Sequence, residues 1–323
     1  MVHKKSRQSS DVLMMASENG DAEKNVRMFT DKLVTASGKP VCRYALAAAA
    51  RSSQSEYIPL KYRDMLQNAD VERGAPFYFY YNPHRYPQFL SGVSQSFDDP
   101  TTRSDIFFAS GGTERSPAAL DQRLNDALAF CGGDYLDGFV LEYVCPDELD
   151  SDTQLGKELQ NAIDHVRSYV QENKVRYVMA STHSHRVGRA LARSASLDAM
   201  MLRYNLSHRK AAEISFPETL DNDIPVIAFT TTRWNTLQRT ASPAVTTADC
   251  ITFALQHPAV EVVLHSARDE VELDDALLPM IACTDDSSRW MSESKYSDLC
   301  AYYSGDEMAW NDDGFDEYPD ESI

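Results

Sequence analysis

The chain has no CxxC pair: its six cysteines, Cys42, Cys131, Cys145, Cys250, Cys283 and Cys300, are scattered along 323 residues. Spacing therefore suggests neither a zinc site nor a redox dithiol, and reduced thiols in a cytosolic protein are the simplest reading. No run of 18 or more apolar residues occurs, which speaks against a membrane-spanning helix. The basic start, Met1 to Arg7, leads into no apolar segment of the kind that makes a secretory signal. Positive charge is also scarce. With 31 Lys and Arg against 49 Asp and Glu, the formal net charge is -18, and a phosphate polymer needs cations to displace its counterions. The expectation is a soluble, cytoplasmic protein with no metal, no nucleic-acid partner and no membrane partner.

The acidity is concentrated at one end. Residues 304 to 323 carry eight carboxylates and no Lys or Arg, which reads as a solvated, disordered tail. Tyr302, Tyr303, Trp310, Phe315 and Tyr318 are interleaved with them, and aromatic anchors on an acidic segment would suit docking to a protein partner.

Between the ends, short apolar runs alternate with longer amphipathic stretches, the pattern of repeated βα units around a parallel sheet. Strands are expected at Val41 to Ala48, Phe77 to Tyr81, Ile106 to Ala109, Phe139 to Tyr143, Val175 to Ala180, Ala199 to Leu202, Pro225 to Thr230 and Val260 to Leu264. Helical spacing marks Leu60 to Arg73, Pro117 to Phe130 and Leu155 to Glu172. Eight such units of about 250 residues make a (β/α)8 TIM barrel. The reading is an N-terminal extension over 1–38, with a helix near Ala22 to Leu33, a barrel over 39–285, and a C-terminal segment over 286–323 whose acidic tail starts at 304.

Several segments carry a family likeness in order. They are Asp134-Tyr135-Leu136-Asp137; Lys174-Val175-Arg176 through Ser181-Thr182-His183-Ser184; Tyr204-Asn205-Leu206-Ser207-His208-Arg209; Ile224-Pro225-Val226-Ile227-Ala228-Phe229; and Pro258-Ala259-Val260 through Ser266-Ala267-Arg268. Together the chain resembles the aldo/keto reductase superfamily, NADP-dependent oxidoreductases. The resemblance implies a dinucleotide seat in which Ser181 and Thr182 hold the nicotinamide carboxamide, Phe229 stacks on its ring, and Ser266 and Arg268 meet the adenosine 2'-phosphate. NADP is the implied cofactor, and a small carbonyl or alcohol the implied substrate.

The same resemblance implies a catalytic Asp, Tyr, Lys and His that are not where they should be. Aligning Gly74-Ala75-Pro76-Phe77-Tyr78 puts Phe79 at the Asp position and His84 at the Tyr spacing. Gly111 stands where the Lys would follow its strand, and Glu142 replaces the His. A relocated proton donor is then sought in His84, Tyr80 or Tyr86, since an imidazole or phenol can serve as a general acid. Two readings stay open: a reductase with a degenerate tetrad and weak or no turnover, and a non-catalytic barrel acting as a sensing or scaffold subunit through protein contacts.

Overall fold

The structure, a computed structural model, describes residues 28–48, 56–68, 74–80, 87–97, 100–233, 237–238, 245–282 and 291–303. Eight parallel strands close into a barrel. In chain order they are β3 (Tyr44–Ala47), β4 (Phe77–Tyr80), β5 (Phe107–Gly112), β6 (Leu136–Leu141), β9 (Val175–Thr182), β10 (Ala199–Arg203), β11 (Val226–Phe229) and β12 (Val260–His265), with β12 pairing back to β3; outside the barrel β1 (Phe29–Val34) pairs with β2 (Pro40–Cys42) and β7 (Leu149–Ser151) with β8 (Gln154–Leu155). Helices cover the outside, among them α1 (Tyr57–Asn68), α2 (Pro87–Gln95), α3 (Pro117–Cys131), α4 (Lys157–Gln171), α5 (His185–Ser194), α6 (Thr247–Leu255) and α7 (Glu270–Ala282). This is the (β/α)8 TIM barrel expected from the alternating pattern. Among the described residues no helix is long and apolar enough to cross a membrane.

Period-two alternation sorts each strand into two faces. Ala45, Phe77, Phe107, Val140, Met179, Ile227 and Val262 fill the barrel interior. Their neighbours Tyr44, Tyr78, Phe108, Leu141, Val178 and Ala228 pack outward under the helices. Small residues on β3 make room for the large ones on β4 and β5, where Phe77 and Phe107 meet at 4.4 Å between ring centroids. The helices begin and end on local signals. Pro117 opens α3 and Gly132, at φ +59°, closes it; Ser184 caps α5 by accepting from the Val187 amide; Thr246 and Asp249 form a reciprocal cap on α6.

The segment before the barrel differs from expectation. Phe29–Val34 is a strand, β1, which turns at Gly38 and pairs antiparallel with β2 (Pro40–Cys42). It is not the end of a helix. Leu33 and Val41, both fully buried, complete the interior cluster and stopper the N-terminal end of the barrel. That burial outweighs the helical spacing of Val26, Phe29 and Leu33, and the boundary at 38 cuts through the hairpin. The hairpin is tied to the barrel floor by Arg176 and Tyr177, which bond the Val34 carbonyl and amide, and by Thr30, whose hydroxyl donates to Glu261 at 2.9 Å.

At the far end of the chain a further helix, α8 (Glu293–Tyr302), stacks Tyr296 on Phe253 of α6 at 5.3 Å, and the Tyr303 hydroxyl donates to the Leu237 carbonyl. The acidic stretch expected to be a tail, 304–323, lies outside the described residues.

One buried charge cluster sits in the barrel wall. Asp137 of β6 is fully buried and accepts from Arg103 and Arg176, each at 2.8 Å, and from the Phe108 amide at 3.0 Å. The aspartate of the Asp134-Tyr135-Leu136-Asp137 run therefore joins β5, β6 and β9 and has a structural role.

Candidate functional site

Barrel chemistry is built at the C-terminal ends of the strands. There the structure places Glu142 directly after β6, Ser181 near the end of β9, Arg203 at the end of β10, Phe229 at the end of β11 and Ser266 directly after β12. His84 and Tyr86 lie outside the described residues.

Glu142 is an acidic group at this end almost wholly removed from water. It is 4% exposed, and its Oε1 has no hydrogen-bond partner. Burial pushes its carboxyl up from 4.5 to about 8, Arg123 and Arg115 oppose that rise, and Glu114 adds to it. The backbone is well held: the Glu142 amide donates to Gly112, and its carbonyl accepts from Arg115, which is itself clamped on Glu148 at 2.6 Å. Tyr143 follows at φ +53°, a sharp turn out of the strand.

Phe79 and Gly111 stand where the family resemblance wants Asp and Lys. Phe79 is 4% exposed and belongs to the apolar plug of the barrel. At Gly111 a Cβ would lie 1.9 Å from the Val140 carbonyl oxygen of the neighbouring strand. Backbone, not a movable side chain, blocks that space. Gly111→Ala is expected to lower stability by about 1–3 kcal/mol, the usual cost of overpacking, measured as the urea midpoint, and Gly111→Lys to fail to restore a lysine to the site. Tyr80 does not serve as a relocated acid in the mouth. It lies on the outer face of β4 against Phe130 of α3, and burial holds its phenol well above the usual range.

The cofactor-side residues divide. Ser181 accepts from the Tyr143 amide at 3.0 Å, which leaves its own hydroxyl proton to donate. Thr182 is on the outer face of β9 and 1% exposed; its hydroxyl donates to Val144 at 2.7 Å and accepts from the Ser184 amide. It pins the loop after β6 and does not reach the mouth, because one step along a strand reverses the face. Phe229 is half-buried at the mouth, with His183 edge-on at 4.9 Å. The other side of that imidazole stacks on Tyr143 at 5.1 Å. Burial and the charge of Arg203 lower His183 to about 4, so it is neutral near pH 7.

Beyond β12, the Ser266 hydroxyl donates to Ala48 at 2.8 Å. Arg268 bonds Glu272 through both its amide, at 2.7 Å, and its Nε, at 3.0 Å, and its side chain is 47% exposed. Its two terminal nitrogens are open among the described residues. The surrounding carboxylates are partly matched, since Lys61 of α1 bridges Glu270 and Asp274 of α7.

Against solved structures the chain matches an aldo-keto reductase of Klebsiella pneumoniae in complex with NADPH, at TM-score 0.62 and 14% identity, covering 85% of this chain and 95% of that one. A second, from the same organism in complex with NADP and acetate, matches at 0.61 and 15%, covering 85% and 96%. The holo form of a Bacillus halodurans aldo-keto reductase matches at 0.62 and 14%, covering 90% and 99%. The fold is that of the aldo-keto reductases. No protein-family model and no curated protein sequence matches the chain. At 14–15% identity the kinship with the aldo-keto reductases is one of architecture, and function has to be argued from the site.

Sequence reading missed Arg123 and Arg203, and it named His183 only within the Ser181-Thr182-His183-Ser184 segment. Arg123 projects from a helix whose other residues read as ordinary outer-ring spacing, and no motif flags it. Arg203 carried a signal of a kind, a charged residue ending an apolar strand, and it is 1% exposed.

Proposed function

We propose that the protein is a divergent aldo-keto reductase that binds NADP at the barrel mouth and has lost efficient carbonyl reduction. The observation carrying this reading is the mouth itself: a proton-holding carboxyl at Glu142 beside a backbone at Gly111 that has no room for a lysine. Without a neighbouring cation a phenol stays a weak acid, and a carboxyl still protonated at neutral pH keeps a proton to donate without the tuned phenol–lysine pair of an intact site.

The residues present fit the cofactor. Phe229 would offer a ring face to the nicotinamide, Ser181 a hydroxyl to its carboxamide, and the open nitrogens of Arg268 would pair with the 2'-phosphate while Ser266 flanks it. When bound, NADPH would supply hydride to a carbonyl carbon. Of the chain's own groups, Glu142 holds the proton for the carbonyl oxygen, and the Arg115–Glu148 clamp fixes its backbone. Phe79 and the interior plug exclude water from below. Loss of a tuned acid typically lowers rates by about 10²- to 10⁴-fold, and turnover of that order below an intact reductase is the expectation.

Titration with NADPH, read by the thermal midpoint, is the test. Saturable binding is expected, with stabilisation of about 2.7 kcal/mol at a hundred times the dissociation constant, and Arg268→Ala is expected to weaken NADPH binding by at least tenfold. Failure to bind at millimolar NADPH would leave the second reading, a non-catalytic barrel working through protein contacts. One observation favours that reading: Val271 and Leu278 of α7, seven residues apart and so on one face, are 68% and 51% exposed.

A further inference from the structure

The turn after β12 commits to the chain itself several of the donors that it could offer a phosphate. The Ser266 hydroxyl donates to the Ala48 carbonyl at 2.8 Å. The Arg268 amide and Nε both donate to one oxygen of Glu272, at 2.7 and 3.0 Å, and the Glu272 amide donates to the Asp269 carboxylate at 2.8 Å. Two carboxylates of the chain thus sit on donors at the start of α7, where a helix end would otherwise receive an outside anion. What Arg268 keeps for another partner, among the described residues, is its two terminal nitrogens, on a side chain that is 47% exposed.

The charge around these nitrogens runs the same way. Asp269, Glu270, Glu272, Asp274 and Asp275 all follow Arg268 closely in the chain, and Lys61 answers two of them by bridging Glu270 and Asp274. Glu272 is buried, at 7% exposure, so water screens its charge poorly. A phosphate monoester brings about two negative charges near neutral pH, whereas a ribose 2'-hydroxyl brings none. A 2'-phosphate at Arg268 would therefore be drawn by the guanidinium and opposed by the carboxylate that already holds it. A hydroxyl would feel little of either. In dinucleotide sites generally an arginine accommodates the 2'-phosphate and an acidic residue goes with the free hydroxyl; this turn carries both, bonded to each other.

We infer that Glu272 sets the choice between NADPH and NADH, given the reading on which this rests, that a dinucleotide binds at the mouth. Its carboxylate takes the amide and Nε of Arg268 and repels a second anion there, so that the two dinucleotides bind with little preference. Arg268 gives NADPH its attraction, and Glu272 takes most of that advantage away.

Calorimetric titration of the full-length protein with NADPH and with NADH, for the wild type and Glu272→Gln, is the test. The wild type is expected to prefer NADPH by no more than about tenfold. The variant keeps an amide oxygen for the Arg268 backbone but loses the charge, and it is expected to bind NADPH about tenfold more tightly with NADH unchanged. A purely structural role for Glu272 would move both constants together, and that result would overturn the inference. So would weaker NADPH binding by the variant, the mark of a carboxylate that only aims Arg268 at the phosphate. A wild-type preference for NADPH beyond about tenfold would also overturn it, and that measurement decides the question should Glu272→Gln fail to fold. Each of these results leaves the dinucleotide reading standing, whereas binding of neither cofactor at millimolar concentration would remove both.

Discussion

Asp137→Ala is expected to lower stability by about 3–5 kcal/mol, the cost of removing one partner from a buried ion pair. The fully buried carboxylate accepts from two guanidiniums and a backbone amide. Its loss leaves Arg103, whose side chain is only 8% exposed, without a counter-charge, and strands the Phe108 amide in the wall of the barrel. Arg176 is more accessible, at 27%, and can turn to solvent, so most of the penalty falls on Arg103. Urea unfolding followed by far-UV circular dichroism measures it. Adding Arg103→Met to the alanine variant should recover part of the loss, because the uncompensated charge goes with it. A single-variant loss below about 1 kcal/mol would show that the cluster is not needed to join the three strands.

Glu142→Gln is expected to stabilise the protein in alkali and to matter least in acid. The unfolded carboxyl ionises near 4.5 and the folded one near 8. Between those values the unfolded chain has released a proton that the folded chain still holds, so wild-type stability falls as pH rises from 4.5 to 8 and levels off above it. At 1.36 kcal/mol per unit, the full difference is at most about 5 kcal/mol. The glutamine variant has no such proton, so its stability relative to wild type should climb across the same interval. Denaturant midpoints of both proteins at pH 5, 7 and 9 test this, and parallel curves would mean that Glu142 is ionised throughout. The same pair of proteins at pH 7 reports on function: if Glu142 donates the proton, residual NADPH-dependent turnover should fall by about 10²-fold in the variant with little change in NADPH affinity.

How much of this was readable in the sequence depended on what each feature rests on. All eight barrel strands were legible, because period-two faces and β-branched runs are local properties; Val226–Phe229 and Val260–His265 fall within a residue of where the pattern puts them. The hairpin at Phe29–Cys42 was not, since Leu33 is held by the bottom of a barrel whose strands come later in the chain. Glu142 was legible as a position through the family resemblance, but its elevated ionisation comes from burial that no motif encodes. Thr182 and Tyr80 were misplaced for one reason, that adjacent residues on a strand face opposite ways and a family motif read without the strand's phase does not say which. Arg123 was invisible because its significance arises only where α3 crosses the end of β5.

The stoppered floor of the barrel also gives the molecule two unlike poles. The described part of the chain starts at Met28 beside the hairpin that seals the floor and ends at Tyr303, bonded to Leu237 in the segment that follows β11. A probe or support attached at the hairpin turn near Gly38 would therefore sit at the sealed pole and leave the open one free. A label at the end of α8 would sit at the open pole instead, where it could report the occupancy of the mouth.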